Sequence, residues 1–149
     1  ARARLDALGL SEAVVERARQ DRPLFCVCLG LQLLLEGSEE SPGVPGLAVV
    51  SGRAERFAAE VRVPQLGWNR VEAPEGARYL ESGEYYFANS YRLAHEPQGV
   101  AVARAEHGGA FVAAFERGAL LACQFHPELS GGAGHRVIAR WLERSAAPS

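Results

Sequence analysis

Leu24-Phe25-Cys26-Val27-Cys28-Leu29-Gly30-Leu31-Gln32-Leu33-Leu34-Leu35-Glu36 is the stretch whose reading decides the fold. Leu24 to Val27 is apolar, follows Pro23 and reads as a short buried strand; Leu31 to Glu36 reads as a helix. No loop separates them, so the chain must bend sharply at Cys28, which is expected in a strained conformation with its side chain at the tip of the turn. Gly30 allows the two backbones to approach. A thiol at this point faces the positive end of the new helix, which favours the thiolate and so a nucleophile. The same residues also fit a blander reading, in which Cys26 and Cys28 are small apolar residues of a buried strand. No Cys/His cluster of metal-ligand spacing lies near this Cys-x-Cys pair, so neither a metal nor any other cofactor is expected.

Outward from this segment the chain is ordinary in composition. Its 149 residues fit one domain, 1–149, and are 48% hydrophobic and 23% charged with a net charge of −2. That balance gives no reason to expect nucleic acid or an anionic membrane as partner. No apolar run reaches membrane-spanning length, and three cysteines suit a reducing cytoplasm better than a disulfide framework. Every cation apart from histidine is arginine. The sequence contains no methionine and opens on Ala1 within what reads as a helix with no strand before it, so an N-terminally truncated domain is expected.

Ala1 to Leu8 reads as the end of a helix broken at Gly9, and Ser11 as the cap of a second helix over Glu12 to Gln20 with Val14, Val15 and Ala18 on one face. Helix, strand and helix in succession predict an α/β fold with a mostly parallel sheet. Gly37 is expected to close the helix after the central strand. Ser38 to Gly46 is then a loop whose Glu39-Glu40 pair is a solvated edge. From Gly46 onward short strand-like runs dominate: Leu47 to Val50, Arg53 to Phe57, Val61 to Val63, Asn69 to Val71, Tyr85 to Phe87, Val100 to Arg104, Ala110 to Phe115 and Leu120 to Phe125. They predict an added antiparallel section, with a hairpin turning near Arg117-Gly118. A last helix is expected over Ala133 to Arg144, burying Val137, Ile138, Trp141 and Leu142, before a frayed tail at 145–149.

The last apolar strand runs into Gln124-Phe125-His126-Pro127-Glu128, and Pro127 ends it. Residues two apart in extended chain point the same way, which puts His126 and Glu128 on one side at a strand end. Sites in α/β sheets form at the carboxyl ends of strands, where Cys28 also sits. Thiol, imidazole and carboxylate are the parts of a nucleophile, base and orienter. A turn with incidental polar residues is the alternative for His126 to Glu128 taken alone.

Together, Cys28-Leu29-Gly30-Leu31-Gln32 and His126-Pro127-Glu128 resemble the class I (triad) glutamine amidotransferase family. The resemblance implies a flavodoxin-like fold and hydrolysis of L-glutamine to glutamate and ammonia through a cysteine thioester. It implies Cys28 as nucleophile, His126 as base and Glu128 as orienting carboxylate. The Leu29 N–H would serve as an oxyanion donor, and Gln32 would touch the bound glutamine. Within the family, Pro64 to Asn69, Tyr85 to Tyr91 and Glu36 to Gly43 are similar to the glutaminase subunits of imidazole glycerol-phosphate synthases, of L-histidine biosynthesis. That similarity implies a heterodimer with a (β/α)8-barrel cyclase subunit that receives the ammonia. Trp68, Asn69 and Tyr86 would then lie at the partner interface, and the Asn89-Ser90-Tyr91 backbone would hold glutamine. Read from the residues alone, Trp68 and Tyr86 fit a core as well as an interface.

Two positions depart from the family pattern: Cys26 stands where glycine is usual, and Leu129 where lysine is common after His-Pro-Glu. A glutaminase serving another synthase, a catalytically dead interaction relic and a cysteine hydrolase or peptidase are the competing readings.

Overall fold

The structure is a computed structural model that describes residues 1–146. It opens with two helices, α1 (Arg2–Ala7) and α2 (Leu10–Arg19), joined through Gly9 in the left-handed region at φ 67°. Gly9 occupies the N-cap of α2. Ser11 caps nothing; its hydroxyl donates to Asp6 Oδ1 at 2.5 Å and ties the two helices together.

β1 (Leu24–Val27) follows, then α3 (Leu29–Leu33) directly after Cys28. β1 lies at the edge of a sheet with strand order β1-β9-β8-β7, formed with β7 (Ala101–Glu106), β8 (Ala110–Arg117) and β9 (Leu120–Cys123). With one neighbour among the described residues, its four residues are half-buried rather than buried. β1 and β9 are parallel, with Val27 opposite Cys123, while β8 is antiparallel to both β7 and β9. The β8–β9 hairpin turns where expected, with Arg117 opposite Leu120. The fold is α/β with a mixed sheet. Among the described residues parallel pairing is confined to β1·β9 and the short β2·β3, and the antiparallel section is the larger part.

α3 ends three residues earlier than its apolar run suggests. The carbonyls of Leu33, Leu34 and Leu35 accept N–H groups from Leu47, Val49 and Ala48 at 2.8, 2.8 and 3.0 Å. Those bonds satisfy the helix end from outside. They also explain why Leu47 to Val50 is no strand: its donors are already committed. Gly37 does not close the helix but joins Ser38 in β2 (Gly37–Ser38), beside β3 (Arg53–Arg56). β4 (Gln65–Val71) pairs with β5 (Gly83–Asn89), and β6 (Tyr91–Arg92) pairs with β3; Val61 to Val63 is irregular.

β9 alternates across the sheet. Leu121 and Cys123 join a core with Tyr85, Phe87, Phe111, Phe125 and Val137, while Leu120 and Ala122 join one with Leu31, Leu34, Leu35, Leu93 and Phe115. α4 (Gly131–Ala146) closes the first of these with Val137 and Trp141, whose ring packs on Phe25 at 5.4 Å. Leu142, expected inside, is 54% exposed because it lies a helical step away from the Val137–Trp141 stripe. Ser145 and Ala146 continue α4 rather than fraying; 147–149 lie outside the described residues.

Candidate active site

Cys28 takes φ 51° and ψ −106°, a strained conformation for a residue with a side chain, at the carboxyl end of β1. Its N–H donates to Cys123 O at 2.7 Å, so the elbow is bolted to the neighbouring parallel strand. Gly30 is needed here: a Cβ on it would stand 3.3 Å from the Cys26 Cβ. Cys26, in place of the family's usual glycine, thus leaves the elbow no slack.

His126 follows β9 three residues after Cys123, which brings it to the same end of the sheet as Cys28. Its Nδ1 lies 2.7 Å from Glu128 Oε1. The pairing does not arise from extended chain. Pro127–Leu129 is a 3₁₀ turn, and it folds the carboxylate back onto the ring. A carboxylate only accepts, so Nδ1 carries the proton and Nε2 is left free as a base. The His126 backbone is held on both sides. Its N–H donates to Tyr86 O at 2.8 Å, and its carbonyl accepts the Ser130 hydroxyl at 2.6 Å. Ser130, which is buried, also accepts the Tyr86 N–H at 2.9 Å.

A cavity of about 290 Å³ opens over Cys28 and is lined by Leu29, Gln32, Ala88, Asn89, Ser90 and Tyr91, together with Glu40 and Arg56. Every residue expected to hold substrate therefore lies on one cavity. Gln32 donates through Nε2 to Tyr91 O (3.2 Å) and to Gln124 Oε1 (2.9 Å), which commits both of its protons and leaves its oxygen for an occupant. The carbonyls of Ser90 and Tyr91 are already used, by the Phe57 N–H and by Gln32 and Asn89. Glu40, read in sequence as a solvated loop edge, and Arg56, from β3, put opposite charges on the rim. No local pattern in the sequence marks either of them, because the crossing from β2 to β3 that assembles them is tertiary.

The thiol departs from the electrostatic expectation. Burial pushes the Cys28 thiol above its ordinary value, and the carboxylates of Glu128 and Glu40 push the same way; the Leu29 N–H and the Gln124 amide oppose them without prevailing. A helix of five residues is too short to reverse desolvation. Cys26, more deeply placed, is raised to about 11 by burial. Among the described residues no group of His, Cys, Asp or Glu could hold a metal ion.

Trp68 and Tyr86 pack edge to face at 6.1 Å. Trp68 is no core residue: it is 58% exposed, with Leu66 and Leu129 also exposed. Asn69 is half-buried, its side chain donating to Glu106 O at 2.9 Å.

The model of the class-I glutamine amidotransferase family matches residues 3–144. The chain belongs to that family. Two relatives share 41% identity with this amidotransferase, both named imidazole glycerol phosphate synthase subunit HisH. The one from Methanothermobacter thermautotrophicus covers 91% of this chain and 69% of its own, and the one from Deinococcus radiodurans 95% and 68%. A solved structure described as a glutamine amidotransferase superposes with a TM-score of 0.72 at 26% identity, over 96% of this chain and 71% of the other.

Proposed function

We propose that this amidotransferase is the glutaminase part of an imidazole glycerol phosphate synthase. In this reading it hydrolyses L-glutamine and passes the ammonia to a (β/α)8-barrel cyclase subunit in L-histidine biosynthesis, in the cytoplasm. The observation that carries the chemistry is Cys28 in its strained elbow, over a cavity with Glu40 and Arg56 on the rim and the His126–Glu128 pair at the adjacent strand end. Free glutamine is a zwitterion, and its ammonium and carboxylate match the acidic and basic groups of that rim. The free oxygen of Gln32 is a further acceptor for the ammonium.

The Cys28 sulfur attacks the side-chain amide carbon as the thiolate. The oxyanion that forms is met by the Leu29 N–H, which points to the sulfur. His126, protonated at Nε2, gives a proton to the departing nitrogen, and ammonia leaves a glutamyl thioester on Cys28. The same nitrogen then takes a proton from water, which attacks the thioester and releases glutamate and the thiol. Glu128 holds the ring throughout.

The exposed apolar side chains of Leu66 and Trp68, with Tyr86 packed on the Trp68 ring, and the exposed Leu129 support this part of the surface as the cyclase-docking site. Leu129 makes it more apolar than the lysine common in the family would.

Replacing Cys28 with alanine tests the reading. Glutamine hydrolysis in the intact protein is expected to fall to background while cyclase binding persists. Full residual hydrolysis would overturn it.

A further inference from the structure

Gln124 enters no step above, yet it is 0% exposed and lies against the nucleophile. Its Nε2 stands 3.5 Å from Cys28 Sγ, and its Oε1 accepts from Gln32 Nε2 at 2.9 Å. The direction of this chain of bonds follows from one group that cannot reverse. The Tyr91 carbonyl only accepts, so the end of Gln32 that faces it at 3.2 Å must be the NH2. That NH2 also faces Gln124, so Gln124 must present its oxygen there and its own NH2 to the sulfur. A backbone carbonyl thus sets the polarity of two side chains and, through them, the environment of the thiol.

We propose that Gln124 is a positioning residue for the nucleophile: its buried amide, oriented by Gln32 and the Tyr91 carbonyl, donates to the Cys28 sulfur, keeps it facing the cavity and stabilises its thiolate form relative to the same site without the donor. The proposal rests on the glutaminase reading for its consequence in catalysis, though not for its geometry. A neutral donor suits the place. A lysine or arginine sealed from solvent would carry a large desolvation penalty, whereas an amide with both ends bonded carries little. The charged groups around the sulfur make such a donor necessary. Glu128, beyond β9, and Glu40, beyond β2, both disfavour the thiolate. Of the opposite sign are Arg56 across the cavity and, when protonated, His126; α3 contributes no charge. The Leu29 N–H and the Gln124 amide are the donors at the sulfur itself. Because Gln32 both lines the cavity and bonds Gln124, an occupant that donates to the Gln32 oxygen polarises the whole chain toward the sulfur. Substrate binding and thiolate stabilisation are thereby joined.

The test follows the rate of Cys28 alkylation by iodoacetamide against pH in the intact protein, for wild type, Gln124→Leu and Gln124→Glu. The midpoint is expected to move up by about one pH unit in both variants, roughly tenfold less thiolate below it. At neutral pH kcat for glutamine should fall about tenfold and recover as pH rises, with KM changed less than about twofold. An unmoved midpoint with a loss of kcat equal at every pH would overturn the proposal and leave Gln124 as packing alone. Should the variants not fold, the wild type decides: the 15N-labelled side-chain amide of Gln124 should shift with the Cys28 midpoint and lose that shift in Cys28→Ala. A signal indifferent to Cys28 overturns the proposal. The two readings fail separately. Persistent hydrolysis by Cys28→Ala removes the reading of Cys28 as the glutaminase nucleophile, while the alkylation midpoints of wild type and the Gln124 variants still judge Gln124.

Discussion

Cys28 sits at a positive φ, and its thiol is raised chiefly by partial burial, with two nearby carboxylates adding to the shift. Since its thiol is raised and the thiolate is the nucleophile, glutamine hydrolysis is expected to climb with pH through neutral into alkaline solution. A flat profile measured from pH 5 to 9 (about the span in which thiol and imidazole normally titrate) would contradict a Cys–His pair. Cys26 carries a separate consequence. A thiol raised in the folded state favours folding below its ordinary value and loses that contribution as pH passes through the folded value. Stability should therefore decline between 9.0 and about 11 on its account. Denaturant titrations across that window should show a shallower decline in Cys26→Ala, the difference reaching up to about 2 kcal/mol; parallel declines would contradict it. At this scale the candidate residues with local chemistry were legible: a thiol at an unlooped strand–helix junction and a histidine two residues from a carboxylate. Glu40, Arg56, Gln124 and Ser130 were not, because nothing within a few residues of any of them hints at the partner it meets across the fold.

Among elements, the junction between the 3₁₀ turn and α4 holds His126, the proposed base, in place. Gly134 fits there only without a side chain: a Cβ would fall 1.9 Å from Pro127 O and 2.8 Å from the Ser130 Cβ. Gly134→Ala must displace either the helix or the turn that carries Glu128. We expect a loss of roughly 1–3 kcal/mol in stability, as for overpacked sites. The kcat for glutamine should fall by at least about tenfold, since misplacing a catalytic group by an ångström is enough. A variant with unchanged melting temperature and kcat would show that α4 does not position the turn. Most strands and helices could be read from period and punctuation, with ends off by a few residues. The largest error has one physical source. Leu47 to Val50 is apolar and strand-like, yet its N–H groups go to the end of α3, and the same bonds stop α3 short. The two-residue β6 is too short for any pattern to register.

For the molecule as a whole, the α/β class could be read from helix, strand and helix around Cys28. The balance of parallel and antiparallel pairing could not, because β1's only neighbour among the described residues is β9, nearly a hundred positions later. Leu66, Trp68 and Leu129 are exposed, the first two on β4 and the third in the turn that follows His126. Trp68→Ala should weaken binding to the cyclase subunit by about 2 kcal/mol, near thirtyfold, as measured by titration calorimetry. Hydrolysis by the uncomplexed protein should stay within about twofold. Unchanged affinity would move the interface elsewhere.

The proposed chemistry turns on a covalent bond between Cys28 and substrate. Labelled glutamine mixed with the intact protein and its cyclase, quenched in acid and mapped by peptide mass, should leave a glutamyl label on the Cys28 peptide and none on Cys26 or Cys123. Hydrolysis that proceeds with Cys28 unlabelled, or with the label on another cysteine, would contradict it.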